Sequence, residues 1–218
     1  MNLPDYHLDL GCGAVPRNPY GRARLAGVDI RPLPASDRFD YRVANLALQP
    51  IPFADASFGS VSAFDFIEHV PRVLLAPDGG GTVLPFVRLM DEIWRVLAPG
   101  GLLYALTPAF PHAEAFVDPT HVNIITARTH EYFCGIEPVA RMYGFGGRFQ
   151  ARRAHWTHVQ DAYDAHPQAL AERRRRSGLK QVAHAFRAVS RRLRGKPDPR
   201  DRGTYFLWEL EAIKESSR

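Results

Sequence analysis

The run Tyr6-His7-Leu8-Asp9-Leu10-Gly11-Cys12-Gly13 constrains the fold of this 218-residue chain more than any other. A short apolar strand ending in an acid passes directly into a two-glycine turn. A second short apolar run, Leu25-Ala26-Gly27-Val28-Asp29-Ile30, then carries an aspartate near its carboxyl end. In open parallel sheets, ligands bind beyond the carboxyl ends of strands, where strand order reverses. Glycines there let the backbone approach a ligand with no Cβ between them, and a carboxylate on the neighbouring strand can accept both hydroxyls of a ribose. The pattern predicts a nucleoside-binding crevice.

The nucleoside is not a dinucleotide. That fingerprint needs a third Gly or Ala at the start of a helix, and Pro16 stands at that place. The segment from Gly11 to Arg24 also holds Pro19 and Gly21, which oppose a crossover helix. Without a helix amino terminus there is no seat for a pyrophosphate, and no Gly-Lys-Ser/Thr follows for a triphosphate. A phosphate-free nucleoside fits. On Leu8-Asp9-Leu10-Gly11-Cys12-Gly13 the chain resembles the class I S-adenosylmethionine-dependent methyltransferases of the type 11-like group. The resemblance continues in order through Ala44-Asn45-Leu46, Ile51-Pro52-Phe53-Ala54-Asp55-Ala56-Ser57-Phe58, Ser60 to Val70 with Glu68-His69, and Asp91 to Gly101. Further on, Ala115 to Val122 resembles a segment of bacterial methyltransferases grouped with cell-surface sugar genes.

The resemblance implies an α/β fold: a Rossmann-like, seven-stranded, mostly parallel sheet with a C-terminal β-hairpin. The residues agree, placing strands near Tyr6–Leu10, Leu25–Asp29, Tyr41–Val43, Ser60–Phe64 and Leu102–Leu106, and a hairpin of Phe149–Thr157 with Thr204–Ile213. Phe86, Leu89, Met90, Ile93 and Leu97 recur at helical spacing, so a helix is expected over Leu84–Leu97, stopped by Pro99-Gly100. A second helix is expected after Pro138, ending at Gly144. The chain reads as one domain, residues 1–218, with a core of about 1–160 plus 203–214 and a basic helical insertion at about 161–202. Regular helices are missing after the first two strands, so one sheet face needs cover, from the insertion or from a second copy of the chain.

Charge is uneven. Residues 172–202 hold twelve Lys and Arg against three acids, leaving the rest with 16 basic and 20 acidic residues. Leu179, Val182, Phe186, Val189 and Leu193 form a stripe there with the arginines off it. That is a helix docked on its own domain, or a contact to nucleic acid or an anionic membrane surface. No apolar run approaches the ~18 residues of a membrane span. With two cysteines and no leader-like start, the expected compartment is cytoplasmic.

The resemblance assigns the cofactor S-adenosyl-L-methionine, with S-adenosyl-L-homocysteine as product. By it Asp9, Gly11, Cys12 and Gly13 line the methionine end, Asp29 takes the ribose with Ile30 beside it, Asn45 faces the adenine, and Leu46, Phe64 and Asp65 flank adenine and sulfonium. Gly59 and Asn45 stand where the family usually has aspartates. Methyl transfer from a sulfonium needs alignment and desolvation, and a base only if the acceptor must lose a proton. His69 and His121 are the candidate bases, with Asp118 placed to orient His121. Absence of Asn/Asp-Pro-Pro-Tyr/Phe after the fourth strand argues against adenine-N6 and glutamine-N5 acceptors. The expected reaction is O-methylation of a small-molecule or glycan hydroxyl. The alternatives are a nucleic-acid methyltransferase using the arginine-rich insertion and a non-catalytic partner subunit. His112, Glu114, Asp118 and His121 lack a regular metal-site spacing, so no metal is expected. Gly79-Gly80-Gly81 is a flexible loop near the expected mouth, either a lid or a loop of no consequence.

Overall fold

The computed structural model describes residues 2–33, 38–76, 78–159 and 203–214, so the insertion expected at 161–202 lies outside the described residues. Seven strands form one sheet: β1 (Tyr6–Leu10), β2 (Arg24–Asp29), β3 (Asp40–Val43), β4 (Phe58–Phe64), β5 (Leu97–Pro108), β6 (Phe149–Thr157) and β7 (Tyr205–Ala212). Their order is β3-β2-β1-β4-β5-β7-β6. The first five are parallel, and β7 runs antiparallel to both β5 and β6. The expected Rossmann-like sheet with its closing hairpin is therefore present. Its order reverses at β1, between β2 and β4, so the crevice lies beyond the carboxyl ends of those three strands.

One helix carries the main core. α1 (Pro85–Val96) starts with a proline, whose missing N–H is no loss in the first turn. Phe86, Leu89, Met90, Ile93 and Val96 are its buried stripe, each contributing about 1.5–3 kcal/mol by leaving water. Leu97, expected to close that stripe, instead turns extended and begins β5 opposite Phe58. Arg95 ties α1 to the chain before β4. It pairs with Glu92 at 2.7 Å and Asp55 at 2.6 Å, and donates to the carbonyls of Ile51 and Phe53. After Pro138 the chain forms a 3-10 turn, Val139–Tyr143, and not the expected α-helix. Only Ala140 of these five residues is buried, and Gly144 stops the turn in a left-handed conformation at φ 89°.

The two faces of the sheet differ. Leu8 and Leu10 join Val61, Ala63, Leu103 and Ala105 in the apolar core with α1. His7 and Asp9 alternate with them and face the other way. There, among the described residues, cover comes from the chain between β1 and β2 and from a small cluster of Phe64, Tyr104, Leu106 and Leu207 with Tyr20, Val159 and Tyr205. Gly59 also belongs to this packing. A Cβ on it would meet the Pro4 carbonyl oxygen at 2.2 Å and the Arg22 guanidinium carbon at 2.8 Å. The aspartate usual in the family could not fit here.

Candidate functional site

The glycine turn is held from below and from the side. Gly11 and Gly13 are left-handed, at φ 66° and 57°, a conformation glycine adopts without steric cost. A Cβ on Gly11 would lie 2.7 Å from the Phe66 ring. Beneath the turn runs a directed hydrogen-bond chain. Arg22 Nε donates to Ser60 Oγ at 3.1 Å, Ser60 meets His7 Nδ1 at 2.8 Å, His7 Nε2 meets Ser62 Oγ at 2.8 Å, and Ser62 donates to Asp9 Oδ1 at 2.6 Å. Arginine can only donate and a carboxylate only accept, so the protons between them all point towards Asp9 and His7 carries its proton on Nε2. Burial, with Arg22 nearby, pushes the His7 imidazole down to about 3, keeping it neutral. Burial likewise pushes the Asp9 carboxyl up to about 6. The second Asp9 oxygen accepts the Arg17 amide at 2.8 Å.

These bonds correct three expectations. Asp9 does not line the crevice; it is fully buried and pins the loop that follows the turn. The Cys12 side chain is also turned away, its sulfur packed so closely on Gly27 that a Cβ there would lie 2.4 Å from it. Burial, with the charges of Asp9 and Asp29, pushes that thiol up to about 12. Phe64 sits in the small cluster on the polar face. The ring beside the glycine turn belongs to Phe66, two residues on.

The remaining expected cofactor residues converge. A cleft of about 380 Å³ is lined by Gly11, Asp29, Ile30, Asn45, Leu46 and Asp65, together with Phe66 and His69. Asp29 accepts the Gly13 amide at 2.9 Å and is gripped by the Arg31 guanidinium at 3.0 and 3.2 Å. Burial raises its carboxyl, but the Arg31 and Gly13 hydrogen bonds outweigh this and hold it below the usual range. Arg31 is 64% exposed, so it can turn outward and leave the carboxylate to two ribose hydroxyls. The Asn45 side-chain oxygen accepts the Ala47 amide at 3.1 Å, and its second lone pair is available to an adenine amino group.

A second cavity, of about 390 Å³, shares Asp65 and His69 with the first and adds Glu114, Asp118, His121 and Tyr205. Asp65 has a left-handed backbone, at φ 47°, a strained conformation for a non-glycine residue. The long loop after β5 reaches this place because Asn123 clamps it. The Asn123 amide donates to the Glu68 carbonyl at 2.9 Å, its side-chain NH₂ to the Ile67 carbonyl at 3.0 Å, and Arg72 donates to its oxygen at 2.6 Å. His69 and His121 are thereby brought edge to face, ring centroids 4.8 Å apart.

Asp118 does not orient His121 as expected. It accepts the Thr120 hydroxyl at 2.6 Å. That hydroxyl, its proton spent, accepts from His69 Nδ1 at 2.9 Å. His121 Nδ1 instead donates to the Ala115 carbonyl at 3.2 Å. With Nδ1 so committed, each imidazole in its neutral form presents an Nε2 lone pair, suited to accepting a proton or a cation. His112, grouped in the sequence with Glu114, Asp118 and His121, is buried against Trp156 at a centroid distance of 4.9 Å. The glycines at 79–81 form the tip of a small hairpin, Leu74–Leu75 with Thr82–Val83, and the described residues among 74–83 line neither cavity. Sequence reasoning missed Glu68, Thr107, Thr120 and Asn123. Glu68-His69 as a pair carried the only local signal; the others are defined by partners about 40 to 55 residues away.

Residues 8–105 match the family described as a methyltransferase domain. No curated protein matches the chain. Among solved structures, a chain of the complex formed by the Haloferax volcanii Trm112 methyltransferase activator is 15% identical with a TM-score of 0.53, covering 98% of this chain and 85% of that one. A methyltransferase-like protein of Bacillus halodurans C-125 is 16% identical at a TM-score of 0.49, covering 99% and 95%. Phosphoethanolamine N-methyltransferase 2 of Haemonchus contortus, in complex with S-adenosyl-L-methionine, is 15% identical at 0.46, covering 99% and 50%. At 15% identity the likeness to the first of these is one of fold. The match spans residues 8–105, less than half of the chain, and the strand order is the one expected from the sequence.

Proposed function

We propose that the protein binds S-adenosyl-L-methionine in the Gly11–Asp29 cleft and transfers its methyl group to a hydroxyl of a small molecule or glycan in the adjoining cavity. The observation that carries this reading is the shared wall. Asp65 and His69 border both cavities, one floored by the glycine turn and Asp29, the other lined by His69 and His121. A methyl donor and an acceptor in these two spaces would meet at that wall. The leaving thioether is neutral, so the protein's tasks are alignment and water exclusion. A hydroxyl acceptor must also lose its proton, and the Nε2 lone pairs of His69 and His121 are suited to take it.

The test is a calorimetric titration with S-adenosyl-L-homocysteine. Micromolar binding is expected, weakened about a hundredfold by Asp29→Ala, since two charge-assisted hydrogen bonds are lost. An acceptor screen would then begin with sugars. No binding by the folded protein would remove the cofactor assignment and favour a partner-subunit role. Turnover only with RNA or DNA would move the acceptor to the nucleic-acid alternative.

A further inference from the structure

Glu68 is an anomaly of the second cavity. It lies at the end of the 3-10 turn Ile67–His69 after β4 and is 1% exposed. One carboxylate oxygen accepts the Thr107 hydroxyl at 2.9 Å. The other, Oε1, is buried with no hydrogen-bond partner and faces His121 Nε2 at 4.0 Å. An unpaired buried carboxylate oxygen is costly, and here it confronts a nitrogen whose proton sits on the far side of its ring, on the Ala115 carbonyl. With Glu68 ionised and His121 neutral the two atoms are both acceptors with no donor between them, a state that burial opposes by pushing the Glu68 carboxyl up to about 8. Something positive belongs in that space.

The neighbours are arranged as a cation would require. Glu68, His69 and His121 each offer a ligand atom within 4.8 Å of the others. Each imidazole has its Nδ1 proton committed to oxygen, His69 through Thr120 to Asp118 and His121 to Ala115. That is the outer support which turns Nε2 into a ligand and fixes the ring. Asn123 holds the two contributing segments together. Two imidazoles and one carboxylate suit Zn²⁺ better than Mg²⁺ or Ca²⁺, which prefer all-oxygen shells. Ligand bonds of about 2.0–2.2 Å require the three atoms to draw in by about an ångström, which is side-chain adjustment.

We propose that Glu68, His69 and His121 form a binding site for one Zn²⁺ ion, with an open coordination position facing the cavity of Glu114, Asp118 and Tyr205. The site rests on this geometry alone. Its use rests on the methyl-transfer reading: an ion there would hold the acceptor's hydroxyl oxygen and acidify it, a task otherwise left to the imidazoles.

The test is a Zn²⁺ titration of chelator-stripped full-length protein, read by competition with a chromogenic chelator and run without S-adenosyl-L-homocysteine. Zinc binding and cofactor binding can therefore fail separately. One ion per chain is expected, with affinity reduced at least about tenfold in Glu68→Gln and His121→Ala, and also in Thr120→Val, which keeps the ligands but frees the His69 ring. Wild-type protein loaded with Co²⁺ should show the visible bands of four- or five-coordination, a readout that needs no variant to fold. The proposal is overturned by absence of stoichiometric binding, by affinity unchanged in both ligand variants, or by a six-coordinate Co²⁺ spectrum. The first of these outcomes would leave a proton shared by Glu68 and His121 in the ion's place.

Discussion

The two faces of the sheet solve the burial problem differently. Against α1, the strands present Leu8, Leu10, Val61, Ala63, Leu103 and Ala105 to Leu89, Met90 and Ile93, a core built from apolar area. On the other face the same strands present His7, Asp9, Ser60 and Ser62, fully buried and joined by hydrogen bonds. Apolar burial is non-directional and tolerant. A buried hydrogen-bond chain contributes little net stability but is costly to leave incomplete. The first face should therefore set how stable the protein is, and the second how accurately the glycine turn is held, since Asp9 sits directly beneath it and binds the Arg17 amide.

The largest test of this contrast is Ile93→Ala. Loss of the buried branched side chain should cost about 2–5 kcal/mol of unfolding free energy, measured in urea, while the S-adenosyl-L-homocysteine affinity of the folded fraction stays unchanged. Next comes Ser62→Ala, which strands His7 Nε2–H and removes the Asp9 donor. We expect about 1–3 kcal/mol, and here cofactor affinity should fall as well. If Ser62→Ala left affinity untouched, the division of labour between the faces would be wrong.

Acid provides a smaller, signed test. The unfolded chain protonates His7 below about 6.5, whereas the folded chain resists until about 3. The His7 contribution is thus present above the ordinary value and lost as pH falls. Asp9 runs the other way, because its folded value near 6 exceeds the ordinary 3.8 and its contribution is lost as pH rises between them. Between pH 4 and 6 the two oppose each other in the wild type. Asp9→Asn should leave the His7 effect exposed, so stability falls by about 1 kcal/mol more per pH unit below 6 than in the wild type. Denaturation curves at pH 4.5, 5.5 and 7 would read this, and parallel slopes in the two proteins would contradict the hydrogen-bond chain. The smallest effect belongs to Arg31→Ala. Removing an exposed competitor for Asp29 should tighten S-adenosyl-L-homocysteine binding by less than about tenfold, and a weakening would assign Arg31 to the ligand instead.

Much of the candidate cleft was legible because its signals are local. Gly11 and Gly13 mark a turn that needs positive φ, Asp29 ends an apolar strand, and Phe86, Leu89, Met90 and Ile93 repeat at the helical period. Phe64 was misread because adjacent strand residues face opposite ways and the turn after β4 re-aims the chain, so Phe66 takes the place by Gly11. The short turn after Pro138 lacks the apolar stripe that sustains a longer helix.

By itself the sequence determined the seven strands of the sheet, the main helix, the glycine turn and the position of Asp29. Each depends on neighbours a few residues apart and on the periodicity of burial. Only the tertiary structure decided that Asp9 is a buried pin, that Gly59 makes room for Pro4 and Arg22, that Asp118 acts on His69 through Thr120, and that Glu68 meets His121. The physical reason is range: these contacts join residues about 40 to 55 apart in the chain, and those at Glu68 and His69 depend on how the loop at Asn123 is clamped to the turn after β4.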